Sequence, residues 1–127
     1  MDAGALIYSI LSASPDMQAL AGGRIYPMRL PQGTAVPAVA YQLVSRMPNE
    51  MTHGQRIYDH ARIQVSIFAN TYAEMSAVGD ACRAAIDGYR SADIIAAVMD
   101  LELDHFEDLY DRYHRTQDYR LNLPSPI

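Results

Sequence analysis

The sequence predicts an α+β fold: an antiparallel β-sheet with a long projecting β-hairpin and two main α-helices packed on one face. Three observations carry this. Two stretches, 2–13 and 72–89, repeat apolar residues at three- and four-residue spacing, the signature of a one-sided helix. Several others alternate apolar with polar residues, most cleanly 56–69, where Ile63, Val65 and Ile67 interleave with Arg62, Gln64 and Ser66. Their order is helix, short edge strand, two long strands, helix, two strands, with no internal repeat, which suits one domain over 1–127.

The elements follow from local chemistry. In 2–13, Ala3, Leu6, Ile7, Ile10 and Leu11 form the apolar stripe. Ser14-Pro15 ends it, because proline disfavours helix in the residue before it. Residues 17–21 can add a helical turn that Gly22-Gly23 caps. The piece 24–28 is short and extended, and Pro27 confines it to a sheet edge; residues 30–36 are loop. A first full strand runs over 37–47 and a second over 56–69, joined by the polar stretch PNEMTHGQ, which makes 37–69 a long hairpin. Asn70-Thr71 supplies caps for the longest helix, on which Met75, Val78, Cys82, Ala85, Ile86 and Tyr89 share a face. A third strand is expected over 94–103, a turn or bulge over 104–109, and a fourth strand over 110–123. On that last strand Tyr113, Tyr119, Leu121 and Leu123 share one parity. Residues 124–127 are expected to be a flexible tail or to dock elsewhere.

Composition excludes several classes. The single Cys82 allows no internal disulfide framework and no cysteine metal cluster. No apolar run is long enough for a bilayer, and no basic-then-apolar leader opens the chain, which points to a reducing, soluble compartment. Net charge is -5, every basic residue is Arg, and most carboxylates lie beyond residue 63. The absence of a basic run argues against a dedicated nucleic-acid surface.

Catalytic constellations are weak. Asp104, His105, Glu107, Asp108, Asp111 and His114 cluster in sequence, but acids that bracket a turn and alternate in direction read as a solvated hairpin tip. Cys82 lies on an apolar helix face and reads as a structural thiol. Gly22-Gly23 lacks the Lys and Ser/Thr of a phosphate loop. No cofactor is expected. The nine Tyr, with Arg and Met, make a composition typical of interface centres. A hairpin of this length must project or pair with a neighbour.

Three stretches carry a family resemblance: ALAGGRIYPMRLPQGTAVPAVAYQLVS, ARIQVSIFANTYAEMSAVGDACRAAIDG and DHFEDLYDRYHRTQDYRLNL. In this order they resemble the tail completion or tail terminator proteins of long-tailed bacteriophages and prophages, including siphophage neck proteins. The chain departs from that pattern at Ala38, directly after Pro37, where a bulkier aromatic is common, and at Phe68, where Trp is common. The resemblance implies a non-enzymatic virion protein that forms a ring, typically hexameric, which caps the finished tail tube and offers the surface for head joining. Its implied partners are further copies of itself, the major tail tube protein and a head completion or connector protein. DNA would only pass through the ring, no membrane is involved, and assembly would take place in the host cytoplasm.

Ring closure requires a heterologous interface. The candidates are Arg24, Tyr26, Met28 and Arg29 on the connector; Met51, His53, Arg56 and Tyr58 at the hairpin tip; and Asp108 and Asp111 in the acidic turn. Two alternatives stand beside this role. One is a monomeric head-tail adaptor or minor tail protein. The other is a small metal-dependent enzyme using His105, His114 and nearby acids.

Overall fold

A computed structural model of the chain describes residues 2–50 and 56–125. Three helices, α1 (Ala3–Ala13), α2 (Pro15–Leu20) and α3 (Tyr72–Ile86), accompany five strands: β1 (Ile25–Pro27), β2 (Ala38–Glu50), β3 (Arg56–Ala69), β4 (Ala96–Glu107) and β5 (Arg112–Pro124). The strands form one open sheet in the order β1-β2-β3-β5-β4. All pairs are antiparallel except β1 with β2, where Ile25 pairs with Val39 and Pro27 with Tyr41 in parallel. The sheet is therefore mixed, because the connector after β1 doubles back to the start of β2 before the chain re-enters the sheet.

The helix starts are chemically marked. Asp2 accepts from the Ala5 amide, Ser14 from the Met17 amide and Thr71 from the Glu74 amide, each satisfying a donor that the first turn leaves free. Ser14-Pro15 ends α1 and starts α2: Ser14 caps both, and Pro15 occupies the first turn, where its missing N–H costs nothing.

Period-two alternation sends Ile63, Val65, Ile67 and Ala69 of β3 to the same face as Val39 and Tyr41 of β2 and Tyr119, Leu121 and Leu123 of β5. The helices cover this face. Ile7 and Leu11 of α1, Met17 of α2 and Met75, Val78, Cys82 and Ile86 of α3 complete a fully buried core. Met17 and Cys82 meet sulfur to sulfur at 3.6 Å. The opposite face, on which Gln42, Gln64 and Asp118 stand side by side, carries no helix.

Two strands outrun the expected boundaries. β2 continues through Pro48 to Glu50, which an outer strand tolerates because proline can turn its donor-free side away from the ladder. β4 continues through Asp104 to Glu107, leaving only 108–111 as turn. The acids there do not break the strand, because Asp104 and Glu107 find cross-strand partners in Arg115 and Arg112. The long hairpin is not a free ribbon. β5 flanks β3 from Tyr58↔Pro124 to Ala69↔Tyr113, so among the described residues of β3 only 56 and 57 lie beyond that flank.

Candidate interaction surface

The residues singled out in the sequence fall in different parts of the fold. Arg24 is part of the connector's own architecture: its Nε donates to the Pro37 carbonyl at 2.8 Å. Tyr26 is half-buried on β1. Met28 is exposed and left-handed at φ 68°, turning the chain out of β1. Arg29 lines a cleft of about 570 Å³ between the connector and the β4–β5 turn, opposite Tyr110 and Arg112. Asp108 and Asp111 are exposed in that turn, Asp111 with φ 50°. Tyr58 lies at the other end of the sheet, its ring edge-on to His60 at 5.1 Å. Arg56 begins β3 opposite Glu50. Met51 and His53 lie outside the described residues. The candidates therefore form two groups, one at each end of the strands.

His105 and His114 do come together, on the helix-free face. Their ring centroids are 5.5 Å apart, and His114 stacks on Phe68 at 4.4 Å. The Arg112 guanidinium lies over the Phe68 ring at 5.0 Å. His114 Nε2 is buried without a hydrogen-bond partner, and burial lowers the pKa of the ring. No group of three metal-ligating side chains is present among the described residues.

A buried polar network lies where α3 meets the outer strands. Arg115 points into the helix-covered face, where its Nε and Nη2 donate to the two oxygens of Asp104 at 2.6 and 3.1 Å. Nη2 also reaches Ser76 Oγ at 3.4 Å and the Tyr72 hydroxyl at 3.5 Å, and Nη1 lies 3.5 Å from Glu102. The guanidinium holds the Asp104 carboxyl below its ordinary range. Gln117 continues the chain: its amide donates to the Gly79 carbonyl and to Glu102, and its oxygen accepts from the buried Tyr119 hydroxyl at 2.7 Å. This network fixes the edge strand β4 to the body. The signal for it in the sequence is polar Arg115 and Gln117 on the same parity of β5 as Tyr119, Leu121 and Leu123.

Cys82 is fully buried, and desolvation pushes its thiol up to about 12, so it stays protonated and unreactive at neutral pH. No helix is long and apolar enough to cross a membrane among the described residues.

What remains exposed is strand edge and apolar surface. Met28, Met47, Leu101, Leu103, Phe106, Leu109 and Tyr110 are all large and exposed. Such a surface suits a protein that works by packing against others. The comparisons with known proteins agree. The model of the family "Tail completion protein gp17" matches residues 5–123, and the chain belongs to that family. It is a phage structural tail protein. Among solved structures, a chain of the virion of a native gene transfer agent particle has the same fold. The TM-score is 0.75 and the identity 16%, and the match covers 97% of this chain and 95% of the other. No curated protein sequence matches it.

Proposed function

We propose that copies of this chain form a ring that caps the finished tail tube, stops its polymerisation and presents the surface to which the head connector binds. The family match over 5–123 carries the reading, since it takes in α2, α3 and β1 to β4 whole and nearly all of α1 and β5. The role is non-enzymatic: it asks for packing surfaces, and exposed apolar side chains at the sheet edges and in the β4–β5 turn supply them. A closed ring needs two different patches on each subunit, and the two ends and edges of this sheet differ in shape and charge. The partners are further copies of the chain, the major tail tube protein and a head completion protein. Duplex DNA passes through the bore during ejection, and assembly takes place in the host cytoplasm.

Deleting the gene from its parent phage or prophage tests this. Tubes of uncontrolled length, with free heads accumulating beside them, are expected under the electron microscope, and complementation in trans should restore joined particles. Normal tails joined to heads in the deletion strain would overturn the proposal.

A further inference from the structure

The ring reading leaves open which surfaces meet, and the sheet edges answer it. A sheet edge is competent for pairing only where its outward N–H and C=O groups are unoccupied. β1 closes its own edge: Ile25 N donates to Gly23 O, Arg29 N donates to Pro27 O, and Pro27 has no donor. β1 also covers only Val39–Tyr41 of β2. Beyond Tyr41 no strand lies beside β2 among the described residues, so residues 42–50 form one open edge.

The other edge is β4. Its first half is covered by the end of α3, since Gly88 N donates to Ala97 O and Met99 N donates to Asp87 Oδ1. Past the bulge at Asp100, the outer side of residues 101–107 has no partner among the described residues. The two open stretches are of similar length; register shifts at Val44 and between Pro48 and Glu50 fall within the first, and one at Asp100 precedes the second. Both carry large exposed side chains: Met47 is 61% exposed on one, and Leu101 and Leu103 are each 48% exposed on the other.

Charge selects the occupant. The open stretch of β2, residues 42–50, holds one Arg and one Glu, and Arg46 pairs with Asp59 at 2.8 Å. The open stretch of β4, residues 101–107, holds three acids and no Arg, with Arg112 and Arg115 of β5 paired to them from the inner side. The β4 edge is therefore acidic in sequence and the β2 edge is not. Two β4 edges would set acids against acids, whereas β4 of one copy beside β2 of the next avoids that repulsion. Direction agrees as well. β2, β3, β5 and β4 alternate, so β4 runs opposite to β2, and a head-to-tail ring sets the two antiparallel. The open stretches lie toward opposite ends of the sheet, and closing a sheet on itself requires that kind of stagger.

We infer that the ring closes by strand addition, with residues 101–107 of one copy pairing antiparallel to residues 42–50 of the next. This rests on the ring reading above and specifies its interface.

The test is targeted cross-linking of the full chain with a short bismaleimide, which tolerates a register shift of a residue or two. Met47→Cys and Leu103→Cys are both exposed, and buried Cys82 stays silent. Each single variant should remain uncoupled. The double variant should give a ladder ending in a closed oligomer, both as purified protein at its highest soluble concentration and in tails assembled in cells. Coupling of Leu103→Cys to itself would mean β4 pairs with β4 and would overturn the inference. Rings seen by native mass spectrometry without coupling would leave the ring standing and overturn this interface. Neither rings nor coupling, in solution and in tails alike, would overturn both.

Discussion

Arg115→Ala tests how β4 is held. The side chain is 7% exposed and makes a two-pronged, charge-assisted contact with Asp104, with Ser76, Tyr72 and Glu102 around it. Breaking a fully buried ion pair costs about 3–5 kcal/mol. Here the Asp104 side chain is 38% exposed and the Glu102 side chain 33%, so water can reach both orphaned carboxylates, which lowers the expectation to about 2 kcal/mol. For a chain of this length that corresponds to a fall in melting temperature of roughly 8 °C. Urea and thermal unfolding of both proteins would measure it. The pH dependence carries a sign. The folded Asp104 carboxyl titrates below its unfolded value, so the pair stabilises above about pH 4 and the contribution is lost as pH falls through the lower folded pKa. The gap between wild type and Arg115→Ala should therefore narrow in acid. A gap under about 0.5 kcal/mol at pH 7, or one that is constant from pH 7 to pH 3, would refute the network as the tether of β4.

Three other outcomes are expected. A methyl at Gly79 would lie 2.9 Å from Arg115 Nη1 and 3.1 Å from its Cδ, so Gly79→Ala should destabilise by about 1 kcal/mol although Ala is the better helix former; combined with Arg115→Ala, the change should become neutral or favourable in a double-mutant cycle. Burial disfavours the charged form of His114, so below about pH 6.5 the unfolded chain takes up a proton that the folded chain resists; urea midpoints at pH 7.5 and 5.5 should show wild type losing stability relative to His114→Phe on acidification. Val65→Asp would place a carboxylate at a fully buried position beneath the helices, and circular dichroism should show a chain that does not fold at 25 °C.

Much of the fold was legible because local rules and tertiary packing agree. The alternation of 56–69 marks the central strand, buried on one face by helices whose stripes were equally plain. Less legible were the places where a local signal is outvoted. Acids at 104–107 look like a turn, yet cross-strand arginines keep them in β4. The parallel pairing of β1 depends on how an irregular connector folds back, which no periodicity encodes. The candidate interface residues were chosen by type, and type alone does not separate Arg24, tied to Pro37, from Arg29, which lies open. The edges were invisible for a related reason. An unpaired edge is a property of strand order, and strand order arises from long-range pairing between segments such as 58–69 and 113–124.

Electron cryomicroscopy of intact particles tests the central claim most directly. It should place a single ring of this chain at the head-proximal end of the tail tube, with β4 of each copy beside β2 of the next. Density for the chain at the distal tip or distributed along the tube, or its absence from mature particles, would contradict the account.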